Sequence, residues 1–228
     1  MRHIHLRTKL FSTENIESKQ ENLVRNFEAL DILSLQASTA GAFGIEKAFM
    51  CNGANLCYEK QAFLEVSGFA GNDNIASGDD VFLLQKFQQE NYKIGFFKSK
   101  EVIVYTQPQQ NFGDLVSQRI RWASKAPAYK SLFAKFAGAT VLLMNLSLIA
   151  AVFLVLFQLL PYQPILIIFL VKFNLDFMLI YSAAKFFKRE PVMRSYFWSS
   201  IFYPFFSTYV AVKSLFSDFS WKGRQFKN

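Results

Sequence analysis

Cysteine and histidine are scarce, and their scarcity removes whole classes of chemistry. Only Cys51, Cys57, His3 and His5 occur among 228 residues. Two cysteines build neither a disulfide framework nor a four-ligand zinc site; they read as reduced, buried thiols of a cytosolic domain. The His-x-His pair has no evident third ligand and reads as surface. Charge is also short, at 18% of residues, against about 25% in a typical soluble domain. The first 30 residues are polar and charged, so no signal peptide is expected there. No Asp-x-Asp occurs anywhere, nor any repeat or low-complexity tract.

What is abundant is apolar surface: 52% of residues are hydrophobic, and 27 residues are Phe. Such an excess needs a solvent other than water. Residues 1–137 hold 16 Lys/Arg and 14 Asp/Glu, whereas residues 138–228 hold 9 and 3. The basic half is therefore also the apolar half, which suits an anionic membrane face and argues against nucleic acid as the partner. Residues 138–160 carry no charge, and about 20 such residues cross a hydrocarbon core. A turn is expected at Pro161-Tyr162-Gln163-Pro164, and a returning helix over 165–184. Lys172 and Asp176 lie four apart inside that helix and can pair on one face. A basic loop over 185–191 is expected on the cytoplasmic side. A third apolar stretch, 195–216, contains Pro204 and either crosses or lies in the interface, giving two to three membrane helices.

The first half is less apolar. Residues 1–17 carry little pattern, and no alternation of strands and helices is visible before residue 40. Apolar spacing predicts an amphipathic helix over 18–37, carrying Glu28 and Asp31 and broken at Ala40-Gly41. Asn52-Gly53-Ala54-Asn55 reads as a turn, residues 58–66 as a short helix closed by Ser67-Gly68-Phe69, and 71–78 as a loop. A helix begins at the acidic pair Asp79-Asp80 and runs to residue 91. Strands are expected over 93–97 and 101–106, then a helix over 112–125.

Two constellations carry chemistry. A carboxylate at a helix start, as in Ser77-Gly78-Asp79-Asp80, is held by loop geometry and suits a general base; the plain alternative is a solvated helix cap. Gln118-Arg119-Ile120-Arg121-Trp122 follows 38 residues after Asp80. There Arg121 offers a planar fork of donors to phosphate, Trp122 a stacking surface and Gln118 a hydrogen-bonding amide. The plain alternative is a helix along the membrane, with Arg119, Arg121 and Lys125 reaching headgroups. Gly78-Asp79-Asp80 also occurs in RNA polymerases, but no other polymerase feature accompanies it.

An acidic pair, then Gln-x-x-Arg-Trp just ahead of a membrane helix, resembles the membrane-bound family 2 glycosyltransferases, inverting enzymes of GT-A fold. The resemblance covers residues 20–228 and implies an α/β fold, a partial GT-A domain over residues 1–135, followed by an all-α transmembrane domain over 136–217 and a basic tail over 218–228. It implies Asp80 as base with Asp79 its neighbour, and Gln118, Arg121 and Trp122 around the donor pyrophosphate and the acceptor end. Asn52, Gly53 and Asn55 match the family's Gly-x-Asn segment near the acceptor channel. Expected partners are a nucleotide-sugar donor, a lipid or polysaccharide acceptor and a membrane, with the catalytic part cytoplasmic at a bacterial-type inner membrane. The family uses Mg²⁺ or Mn²⁺ held by an Asp-x-Asp, a motif missing here along with the nucleotide-binding half. The chain is thus expected to be a truncated or split hexosyltransferase, inactive alone. The alternatives are a non-catalytic membrane protein or subunit derived from such an enzyme, and a basic membrane-surface binding protein without sugar chemistry.

Overall fold

The computed structural model describes residues 3–7, 9–11, 19–71, 78–216, 219–221 and 224–226. Most of the expected 71–78 loop, together with Ser18, Ser77, Lys222 and Gly223, lies outside the described residues. The described chain is mostly helical with few strands. Strands β1 (His3–Arg7) and β2 (Lys9–Phe11) precede helix α1 (Lys19–Gly44). Then come β3 (Leu56–Cys57), α2 (Lys60–Glu65), α3 (Asp79–Gln89), β4 (Lys93–Phe97) and β5 (Val104–Thr106). Helices α4 (Phe112–Ala123), α5 (Leu132–Leu156), α6 (Tyr162–Phe187) and α7 (Tyr196–Phe216) follow, and β6 (Phe219–Trp221) and β7 (Arg224–Phe226) form a closing hairpin.

The strands before residue 40 depart from the sequence reading. β1 runs parallel to β4, pairing His5 with Gly95, and antiparallel to β3; β2 runs parallel to β5. Parallel neighbours need a long crossover, so these strands owe their state to partners far along the chain. The α/β character is confined to these small sheets.

Helix α1 also runs past its expected stop. Ala42 is buried beyond Gly41, and Phe43 packs on Phe96 at 5.4 Å. Packing on that last turn outweighs the modest cost of glycine in a helix. The helix closes where Glu46 takes positive φ and Lys47 N–H reaches Ala42 O at 2.8 Å. One face of α1, with Leu30 and Leu33, packs on Ile180, Ala183, Ala184 and Phe187 of α6. Its Phe27 packs with Leu115 of α4 and Phe206 and Val210 of α7. α1 is the strut joining the polar half to the apolar one.

Helix α3 is buried almost all round, with Leu83 and Phe87 against Ala62 and Val66 of α2. Lys86 Nζ donates to the carbonyls of Gly68 and Ala70, each at 2.7 Å, and ties the turn after α2 to α3. The thiols differ from expectation: Cys57 is exposed and Cys51 half-buried.

Two described helices, α5 and α6, are long and apolar enough to cross a membrane. Their most apolar windows are only 11% and 6% buried, so they are not core helices of a water-soluble domain, whose apolar surface would be covered. α5 starts at Leu132, earlier than its uncharged run, because Ser131 Oγ accepts from Ala134 N–H at 3.2 Å. The turn between the two helices falls at residues 157–161, with Gln158 at positive φ. Pro164 sits in the first turn of α6 rather than in the connection, where a missing N–H costs nothing. Lys172 and Asp176 pair as their spacing requires.

Candidate active site

Asp80 lies in the first turn of α3, and the helix starts there because Gly78 takes φ +97° at the cap, a conformation other residues rarely adopt. Its carboxylate is fixed by backbone. Oδ2 accepts from Gly53 N–H at 2.8 Å, and Oδ1 lies 2.9 Å from Val81 N–H. The Gly53 turn is itself set by Asn52, whose Oδ1 accepts from Ala54 N–H at 3.1 Å. A Cβ on Gly53 would lie 3.4 Å from Asp80 Oδ2, so the backbone approaches the carboxylate closely. Asn55 is buried, and its amide donates to Val102 O at 2.8 Å. Asn52 and Gly53 therefore adjoin Asp80, and the Asn55 side chain is turned toward the strand edge.

The segment after α4 lies along α3. A Cβ on Gly78 would come within 2.8 Å of Lys125 Cδ. Tyr129 packs edge-on against Phe82 at 5.9 Å, and Lys130 N–H donates to Gln85 Oε1 at 2.8 Å. This register places Lys125, Tyr129 and the end of α4 beside the acidic pair. Lys125 is buried at 6% exposure and makes no ion pair among the described residues. Burial pushes its ammonium down to about 8, against the pull of Asp80 and Asp79 and with the push of Arg121. Burial likewise lowers Arg121. It raises the Tyr129 hydroxyl to about 12, with Asp80 and Cys51 adding to it, and raises the Cys51 thiol, with Asp80 adding.

The five-residue motif divides between two faces. Arg121 lies within electrostatic reach of Lys125. Arg119 turns inward: its Nε donates to Asp31 Oδ2 at 2.6 Å, with 6% and 5% of the two side chains exposed. Its guanidinium lies 4.3 Å over the Trp122 ring, and it donates to Gln118 Oε1. Tyr203 of α7 lies near Asp31 as well. Gln118 and Trp122 are thus held by Arg119, one layer from Arg121. Neither Arg119 nor Lys125 extends to a membrane surface as a helix lying along the bilayer would require. Beside this layer Glu28 is fully buried and accepts from Gln109 N–H at 2.8 Å; burial raises its carboxyl, while that N–H and Arg119 lower it.

Sequence reasoning named Arg119 and Lys125 only as contacts to headgroups and Asp31 only as an acid on α1, and gave none of them a place in the site. A signal for Asp31 existed, since Glu28 and Asp31 fall among the apolar positions of α1, where an acid needs an internal partner. For Lys125 there was none, because a lysine after an amphipathic helix is by default solvated.

Among the described residues no group of three or more His, Cys, Asp or Glu could hold a metal ion. The acidic pair does not fit a divalent cation either: both Asp80 oxygens face backbone N–H groups and Lys125 lies alongside.

The arrangement offers a fixed carboxylate next to a cation buried at a cost, with Arg121 within reach of that cation. Removing that cost has a measurable sign. Below pH 8 folding keeps Lys125 charged at full penalty. Between pH 8 and the ordinary 10.5 the unfolded chain binds more protons than the folded one, so stability climbs with pH, and above that range the penalty is gone. Lys125→Met is expected to raise the melting temperature at pH 7, with the gain shrinking from pH 8 to 10.5. Melting curves across pH in detergent check it; a uniform loss of stability would show Lys125 to be a structural tie.

A family model, glycosyl transferase family group 2, matches residues 13–211. No curated protein and no solved structure matches the chain.

Proposed function

From the chain's membership in glycosyl transferase family group 2, we propose that it transfers a hexose, with inversion, from a nucleotide sugar to a hydroxyl of a membrane-associated lipid or polysaccharide. Asp80 takes the proton of the acceptor hydroxyl. The acceptor oxygen attacks the anomeric carbon as the bond to the diphosphate breaks on the opposite side. Arg121 meets the charge leaving on the diphosphate, and Lys125 adds to it. Asp79 lies next to the base in the first turn of α3, where its charge favours the helix dipole. Gln118 and Trp122 wall the acceptor end, and the turn of Asn52, Gly53 and Asn55 borders it.

In this reading the residues before α5 are the acceptor-side part of an α/β GT-A domain, and α5 to α7 form a membrane domain with the catalytic part on the cytoplasmic face. The single observation that carries it is the Asp80 carboxylate, pinned by Gly53 N–H at 2.8 Å with the buried Lys125 beside it and Arg121 within reach of that lysine. Residues 1–228 contain no Asp-x-Asp, so we further propose that the nucleotide and its Mg²⁺ or Mn²⁺ are held by residues other than these, and that residues 1–228 alone turn over no donor.

The test is sugar incorporation from a panel of radiolabelled nucleotide sugars. Membranes carrying residues 1–228 are compared with membranes carrying the same residues joined to a family nucleotide-binding region, and the product anomer is read by NMR. Incorporation by the joined form with inverted configuration is expected. Incorporation with retention would remove Asp80 as base, and none from any donor would leave the non-catalytic membrane protein as the reading.

A further inference from the structure

A cavity of about 510 Å³ opens between α1, α5, α6 and α7, within the roughly 300–1,000 Å³ of small-molecule sites. Most of its wall is aliphatic, from residues such as Val141, Ile168 and Leu179. One end is polar. Asn145 faces it from α5, 1% exposed, and its Oδ1 has no hydrogen-bond partner among the described residues. A buried acceptor left unmade costs about 1–3 kcal/mol, so the site asks for a donor.

The charges around the cavity cancel. Lys172 is paired with Asp176, and Asp31 with Arg119. No unpaired cation therefore faces it among the described lining residues, and an anionic headgroup would enter a low-dielectric site without a counter-charge. Ser34, Ser38 and Ser199 also line the cavity and add hydroxyls to its wall. Asp31 is shared with the layer holding Gln118 and Trp122, so the polar end adjoins the acceptor wall. A second cavity of about 350 Å³, lined by Leu148, Val152, Leu166, Phe169 and Phe205, lies farther along the same three membrane-side helices and is almost wholly carbon.

We propose that this cavity binds an uncharged, hydroxyl-bearing acyl lipid of the diacylglycerol kind, its hydroxyl donating to Asn145 Oδ1 and its chains lying among α5, α6 and α7. Resting on the glycosyl-transfer reading, the bound lipid is the acceptor in a waiting position: Asp80 does not line the cavity, so the hydroxyl leaves Asn145 before it reacts. The neutral wall separates it from phosphorylated lipids, and the unmade acceptor separates it from plain acyl chains.

The test places the full chain in phosphatidylcholine nanodiscs with a diazirine-bearing diacylglycerol or, at equal mole fraction, a diazirine-bearing phosphatidic acid. Crosslinked peptides are mapped by mass spectrometry. The diacylglycerol probe is expected to label the cavity-lining parts of α5 and α6 about fivefold or more above the phosphatidic acid, the worth of about one hydrogen bond. Asn145→Leu, which a membrane helix accepts, is expected to lower the labelling by about the same factor, and Ser199→Phe, which fills part of the cavity, to lower it as well. Equal labelling by both probes, or labelling unchanged in both variants, overturns the proposal; preferential labelling by phosphatidic acid overturns it in favour of an anionic lipid. Labelling needs no nucleotide sugar, so intact labelling with failed transfer to diacylglycerol counts against the transfer reading alone.

Discussion

Asp80→Asn is expected to lower kcat by roughly 10²- to 10⁴-fold, the range over which a positioned general base acts. Asparagine keeps the size of the side chain and one acceptor oxygen but cannot take the acceptor proton. It also faces two backbone donors, Gly53 N–H and Val81 N–H, with a single acceptor. One of these groups loses its partner, and because the pocket is only partly buried the loss in stability should stay near 1 kcal/mol. A melting temperature within a few degrees of the parent, with activity gone, therefore separates chemistry from folding. KM for the donor should change little, since Arg121 and Lys125 remain. Asp79→Asn is the internal control: Asp79 is exposed in the first turn of α3, and losing its favourable dipole interaction costs about 0.3–1 kcal/mol. Steady-state kinetics of the joined form used for the donor panel check both. A kcat for Asp80→Asn within threefold of the parent would remove this carboxylate from the reaction.

Local pattern made the helices legible, and distance in sequence hid the rest. The uncharged run over 138–160 announced α5, and the apolar run after Pro164, with Lys172 and Asp176 four apart inside it, announced α6. The acidic pair announced the start of α3, and Asn111 marks the start of α4, where its Oδ1 accepts from Asp114 N–H at 2.9 Å. Strands β1 and β2 were invisible because their state is set by β4 and β5, about ninety residues away in register. The Asp80–Gly53 contact spans 27 positions; both motifs could be named from sequence, but not their hydrogen bond. The two arginines of Gln118-Arg119-Ile120-Arg121-Trp122 are chemically identical in a sequence. Only Asp31, 88 positions earlier, decides which one is buried. Helical spacing held no information about which arginine turns inward with Gln118.

That division of labour yields the second large expected effect. Arg119→Met should destabilise the protein by about 3–5 kcal/mol, the cost of leaving the buried Asp31 carboxylate uncompensated. The cost lies in the upper part of that range because Asp31 is 5% exposed and Arg119 also supports Trp122 and Gln118. Arg119→Lys should recover only part: a lysine keeps the charge but loses the planar fork and the stack on the indole. Arg119→Met combined with Asp31→Leu should regain much of the loss, because an apolar pair of similar volume avoids two desolvations, while Gln118 gives up a partner. Arg121→Met should cost activity while destabilising less than Arg119→Met, because Asp31 keeps its counter-charge. Thermal unfolding in detergent, followed by tryptophan fluorescence, orders the four variants. If Arg119→Met melted with the parent and Arg121→Met melted early, the buried and the substrate-facing arginine would have to be exchanged. Asp31 would then need another counter-charge inside the helix cluster, and no other described cation is ion-paired to it.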